Sequence, residues 1–147
     1  MVVVACSEDE NFDFKIQDDL SISTLNGTWR VVAYKELDTK KVIIKDSINS
    51  WGMDIIITFD DSINPAEVKG RNTTNSIFGK FIYINDRSFR ILELGTTEVN
   101  QPEWANRFVD LVLESELVFE VNENQLLIIN EQNQLSALLE KNNDGNT

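Results

Sequence analysis

Apolar residues along this chain recur mostly at alternate positions, the two-residue period of half-buried strands. Trp29, Val31 and Ala33 share one face of a run that continues to Tyr34. Residues 41–45 predict a short second strand, and 54–59 a confident one from the β-branched run Ile55-Ile56-Ile57-Thr58. Asp60, Asp61, Asn64 and Pro65 end it, and residues 67–70 pair only briefly. Over 77–84, Ile77, Gly79, Phe81 and Tyr83 alternate with Phe78, Lys80, Ile82 and Ile84. Asn85-Asp86-Arg87 then turns the chain, and residues 88–94 return as the second arm of a hairpin. Gly79 inside that strand predicts a bulge or room for another backbone. Three more strands follow: 116–121, with Leu117, Phe119 and Val121 facing one way, 125–129, and 134–141, where a short helix is the less favoured alternative.

One stretch, 99–115, breaks the period. Trp104, Phe108, Leu111 and Val112 sit at i, i+4, i+7 and i+8, an apolar stripe on a helix. Asn100 followed by Glu103 predicts a capping box, and Val99 with Trp104 a hydrophobic staple. Pro102 falls in the first turn, where its missing N–H costs little. The expected fold is therefore α+β: a curved or barrel-like antiparallel sheet, with one helix at about 100–115 inserted between strands and packed on it.

Composition narrows the chemistry. The 147 residues suit one domain, and eight Phe and three Trp suffice for a core. A net charge of −12 opposes nucleic acid, whose phosphates need Lys and Arg, and opposes an anionic membrane surface. There is no histidine, so Ser-His and Cys-His catalysis is excluded. The acidic pairs, such as Asp60 with Asp61 or Glu114 with Glu116, read as solvated surface acids. We expect no catalytic residues, no cofactor and no metal. Asp60, Asp61 and Asn64 are the best calcium candidates, but they lack the spacing of a calcium loop and read as a strand-ending turn. The sequons at Asn26 and Asn72 read as turn chemistry, and Trp51 as a lid over one end of the sheet.

The amino terminus carries a different message. Val3-Val4-Ala5-Cys6 has the form of the end of a lipobox, in which the single cysteine is the lipid-attachment residue. Ser7-Glu8-Asp9-Glu10 follows it, similar to the serine-plus-acidic tract of surface-exported lipoproteins of the Bacteroidetes. The expected organisation is a signal remnant at 1–6, an acidic linker at 7–24, a domain at 25–141 and a tail at 142–147. Within the linker, Phe12, Phe14 and Ile16 alternate and could add an edge strand. The expected partner is a membrane, through the amino-terminal lipid only. The domain is expected to be a monomer anchored to the outer membrane, and the acidic tract points to exposure at the cell surface.

The order of motifs resembles the META domain, the family of the heat-shock protein HslJ, over about residues 25–141. Gly27-Thr28-Trp29 fits its Gly-x-Trp first strand. Residues 73–81 lie where the family has Gly-Cys-Asn-x-aromatic-x-Gly-x-Tyr: Asn75 and Gly79 match, Phe81 stands for the tyrosine, and Thr73 and Thr74 replace the glycine and cysteine. Thr96 or Thr97 fits the family threonine, and Asn100 or Gln101 sits where its second cysteine would be. The resemblance implies a non-enzymatic envelope or stress-linked domain; with both family cysteines replaced, the start of the helix is expected to be held by its cap and the Val99–Trp104 staple, not by a cross-link to the Thr74 region. The alternative is a lipocalin-like carrier of a small apolar ligand, whose barrel also starts Gly-x-Trp; a helix between strands, not after them, favours the META-like reading.

Overall fold

In the computed structural model, which describes residues 12–15 and 24–142, the predicted strands close into a barrel. The strands are β1 (Gly27–Glu36), β2 (Val42–Ile44), β3 (Ile55–Asp60), β4 (Ala66–Asn72), β5 (Asn75–Asn85), β6 (Ser88–Thr96), β7 (Glu116–Val121), β8 (Gln125–Asn130) and β9 (Leu135–Lys141). All pair antiparallel. β1 and β3 to β9 follow one another around the barrel, and β9 returns to β1 from Trp29↔Lys141 to Glu36↔Leu135. β3 pairs the first half of β1, and the extra strand β2 pairs the second half on the same side. Between β2 and β3 lies a single helical turn, α1 (Ser47–Ser50), with a capping box between Asp46 and Asn49. No helix among the described residues is long and apolar enough to cross a membrane.

The alternation read from the sequence decides what faces inward. Trp29, Val31, Ile55, Ile57, Phe81, Leu117, Phe119, Leu126 and Ile128 all join the buried interior. A bulge between Val31 and Ala33 interrupts the β1–β9 pairing and changes the facing residues, so Tyr34 points in and Ala33 out. Phe59, Phe81, Phe89 and Phe119 meet edge to face, with ring centroids 5.4–6.2 Å apart. Such rings fill the middle of the barrel, and edge contacts of this kind add roughly 0.5–1.5 kcal/mol each beyond burial.

The helix α2 (Glu103–Val112) joins β6 to β7 and lies across one mouth of the barrel. Trp104, Ala105, Phe108, Leu111 and Val112 are buried beneath it. Side chains from the strand ends hold it by its own carbonyls. Tyr34 Oη donates to Trp104 O (2.9 Å), Asn72 Nδ2 to Ala105 O (3.2 Å), Asn130 Nδ2 to Leu111 O (2.8 Å) and Asn133 Nδ2 to Asp110 O (2.8 Å).

Three local expectations are corrected. The helix starts at Glu103 with Pro102 as N-cap and no side-chain cap, so Asn100 does not cap it and Glu103 is its first residue, not its third. Val99 is 55 % exposed and forms no staple with the fully buried Trp104. The cause is a competing set of hydrogen bonds from β5, described below, that holds residues 99–101 outside the helix. Trp51 is 47 % exposed and sits in the left-handed conformation after α1, not as a lid. Gly79 does leave room for a neighbouring backbone: a Cβ there would lie 1.9 Å from the Glu93 carbonyl oxygen, while the bulge falls on β6 between Glu93 and Ile91, the partners of Lys80 and Phe81.

Trp104 stands edge-on to Tyr34, with centroids 4.7 Å apart, at the centre of the plug. Trp104→Ala should lower unfolding free energy by about 3–5 kcal/mol. Urea titration checks this, and a loss below about 1 kcal/mol would mean that the helix is not anchored there.

Candidate functional site

The corner where β4 turns into β5 gathers most of the motif residues. Asn75 is buried at the start of β5, and its amide is fully used. Its Oδ1 accepts from Thr97 Oγ1 (2.8 Å) and Val99 N (2.8 Å). Its Nδ2 donates to Val99 O (2.8 Å) and Gln101 Oε1 (2.7 Å). Beside it Thr74 Oγ1 donates to Asn100 O (2.8 Å). Gln101 passes the connection on to the helix, donating from Nε2 to Asn106 Oδ1 (2.8 Å). A hydrogen-bonded network thus ties residues 74–75 to 97–101 and pins the chain just before α2. Asn75, residues 96–101 and Asn106 line a crevice of about 400 Å³.

Thr73 makes the turn into this corner. Its φ is 58°, the left-handed region that a β-branched residue rarely adopts. It is fully buried, and its Oγ1 has no hydrogen-bond partner among the described residues; the same holds for Asn72 Oδ1 and Trp104 Nε1. Each unpaired buried group costs roughly 1–3 kcal/mol.

The Gly27-Thr28-Trp29 motif has its own physical reason. Trp29 Nε1 donates to Leu25 O (2.8 Å), and Lys141 Nζ lies 4.7 Å from the ring centroid. Gly27, at φ 134°, leaves space for that lysine: a Cβ there would come within 2.8 Å of Nζ. Phe81 lies in the interior among the rings already described.

A second polar cluster closes the other mouth. Asp61 accepts from Thr24 Oγ1 (2.8 Å), from Tyr83 Oη (2.8 Å) and from the Asn26 amide. Tyr83 Oη in turn accepts from Leu25 N (2.8 Å), and the Asp61 N–H donates to Asn26 Oδ1 (2.7 Å). Partial burial raises the Asp61 pKa, but the hydrogen bonds from Thr24, Tyr83 and Asn26 outweigh it and hold the carboxyl below its usual value. Burial raises the Tyr83 phenol. Asp60 is lowered by the Ser62 hydroxyl and N–H in an ordinary turn. Among the described residues no group of three or more His, Cys, Asp or Glu stands together as a metal site.

A wider crevice, of about 540 Å³, opens between α2 and the β1–β2 and β8–β9 turns. Arg107 stands in it with Nη1 3.7 Å from Glu36 and Nη2 3.9 Å from Glu103. Sequence reasoning missed Arg107, Asn72, Asn130 and Asn133, because Glu36 and the helix carbonyls that they reach lie on other elements of the chain. Cys6 lies outside the described residues. The hydrogen-bond networks of the two corners use amides, hydroxyls, backbone groups and one carboxylate, that of Asp61, chemistry suited to holding chain segments in place.

No family model and no curated protein matches this chain. Among solved structures, it is similar to the NMR structure of a protein from Burkholderia xenovorans, with TM-score 0.65 and 13 % identity over 91 % of this chain and 97 % of that one. It is also similar to the crystal structure of a DUF4847 family protein from Bacteroides vulgatus, with TM-score 0.53 and 18 % identity over 80 % and 93 % of the two chains. At these identities the likeness is one of fold: a closed eight-stranded antiparallel barrel with an extra strand and a helix packed on it.

Two outcomes test the clusters. Thr73→Gly removes both the left-handed strain and the unpaired hydroxyl, and should raise stability by about 1 kcal/mol in urea titration; a loss of stability would contradict this account of the turn. The folded pKa of Asp61 is depressed, so its contribution is complete above the ordinary carboxylate pKa and fades as pH falls through the folded value. Asp61→Asn should therefore flatten the acid limb of the thermal stability profile, and an unchanged acid limb would rule out the carboxylate as its source.

Proposed function

We propose that this chain is a non-enzymatic, lipid-anchored envelope protein with a META/HslJ-like domain, serving an interaction or envelope-stress role. The observation that carries the domain reading is the Asn75 network. The family motif puts a cysteine at position 74 and its partner at 100 or 101, and here Thr74 and Asn75 hydrogen-bond to Asn100 and Gln101. The same job, fastening the start of the helix to the β4–β5 turn, is done by amides and a hydroxyl. Thr73, which replaces the family glycine, has the positive φ that a glycine adopts without strain. The helix between β6 and β7 occupies the family's position in the strand order.

The anchor rests on Val3-Val4-Ala5-Cys6 and the acidic tract that follows. Lipid on Cys6 would tether the barrel through buried acyl chains, while its net charge of −12 keeps the body in solution. The apolar interior is occupied by the chain's own rings, which favours this reading over a lipocalin-like carrier. Metabolic labelling with a fatty acid, in cells expressing the protein with its native signal, should tag the wild type and leave Cys6→Ala untagged. Labelling retained in that variant would overturn the lipoprotein assignment.

A further inference from the structure

Apolar residues that face outward on this barrel fall into two groups. On β5 and β6, Phe78, Ile82, Ile84 and Leu92 are 59, 43, 40 and 51 % exposed. Across the barrel the outward positions behave differently. Leu126 and Ile128 of β8 and Ala137 and Leu139 of β9 point into the core, so Leu127, Ile129 and Leu138 point out. Yet Leu138 is only 3 % exposed, Ala33 beside it is fully buried, and Leu127, Ile129 and Val118 are half-buried. The register sets these residues in two rows. Glu120, Leu127, Leu138, Ala33 and Ile44 run across five strands in one row, and Val118, Ile129, Ser136, Lys35 and Val42 in the next.

Residues 12–15, Phe-Asp-Phe-Lys, lie on this face. Lys15 N donates to Gln125 Oε1 (2.9 Å), Gln125 Nε2 donates to Asp13 O (2.7 Å), and Asn122 Nδ2 donates to Lys15 O (2.7 Å). At the other end the Phe12 ring sits 5.8 Å from Lys35 Nζ on β1. Gln125 and Lys35 lie opposite Glu140 and Ser136 of β9, so the segment spans the stretch of β9 that includes Leu138. Its burial alternates: Phe12 and Phe14 are half-buried, while Asp13 and Lys15 are exposed. The two side-chain amides hold backbone groups on alternate residues, and the intervening residues offer aromatic rings. This arrangement selects an extended chain with aromatic residues at alternate positions.

We infer that the outer face of β8, β9 and β1, with the Asn122 and Gln125 amides at its end, is a recognition groove for an extended aromatic-x-aromatic segment, and that residues 12–15 are its ligand in cis. The inference does not depend on lipidation. It gives the alternating Phe12 and Phe14 a role other than an added edge strand, since they lie over the sheet face.

Two arms test it. A fluorescent peptide of residues 10–17 is titrated into the full chain and into its Phe12→Ala, Phe14→Ala double variant. A tethered segment competes at roughly millimolar effective concentration, so the peptide should bind the variant one to one and the wild type about tenfold more weakly or worse. Equal binding to both, or no binding to the variant, would overturn the proposal. In the second arm, wild-type protein produced without lipid carries a nitroxide on Cys6, its only cysteine. Amide signals of β8, β9 and β1 should broaden selectively, and even broadening over the whole surface would refute docking. A wild-type dimer that dissociates on dilution and is lost in the double variant would assign the groove to a second copy and overturn the cis arrangement.

Discussion

The pairing of β9 with β1 is the constraint on which the rest depends. It joins the last strand to the first along most of the length of β1 and turns a curved sheet into a closed barrel. Closure removes the long free edges that an open sheet of this size would leave for aggregation. It also creates an interior, and an interior with two mouths needs each of them sealed. The plug α2 seals one, and the Thr24, Leu25 and Asp61 cluster seals the other. Each seal uses polar side chains at strand ends to hold backbone or neighbouring groups, so the apolar residues beneath them stay dry. The bulge at Val32 belongs to the same requirement. It lets β1 present Trp29 and Val31, and then Tyr34, to the inside while its outer side stays in register with β9.

Much of this was legible because strand burial is one-sided. The alternations at 77–84 and 117–121 became strands with the expected faces, the runs at 88–94 and 125–129 became strands, and residues 134–141 became β9, whereas at 29–33 Trp29 and Val31 face in as read but the bulge turns Ala33 out. β4 proved longer than the brief pairing read from 67–70, because Lys69 and Arg71 face out and Gly70 carries no side chain, which blurs the period. Closure itself leaves no local trace: β1 and β9 lie about a hundred residues apart. The helix was found by its stripe, but its first turn was misplaced because Asn75, some twenty-five residues upstream, claims the backbone at Val99 and the side chain at Gln101. A local capping rule cannot register such a distant competitor.

The candidate site was legible as a list and not as a geometry. Asn75, Gly27, Trp29, Gly79 and Phe81 each turned out to have a definite packing or hydrogen-bonding job. Asn75 is the most heavily used, since one buried amide makes four hydrogen bonds. A network of this kind stays intact whatever the redox state of its surroundings, which a disulfide does not. Its cost is visible next door, where Thr73 is held at positive φ with its hydroxyl unpaired.

Were Cys6 to carry a lipid, the docked segment at 12–15 would change how far the barrel can stray from it. Counted from Cys6 to Thr24, seventeen residues intervene and could extend roughly 60 Å; counted to Phe12, five intervene and reach no more than about 20 Å. With acyl chains on Cys6, the first case gives a body swinging freely above the bilayer. The second gives a body held close, with the side bearing β8, β9 and β1 nearest the lipid and the exposed Phe78, Ile82 and Leu92 of the opposite side turned away. Orientation at the membrane would then be set by two phenylalanines in what the composition alone describes as a spacer.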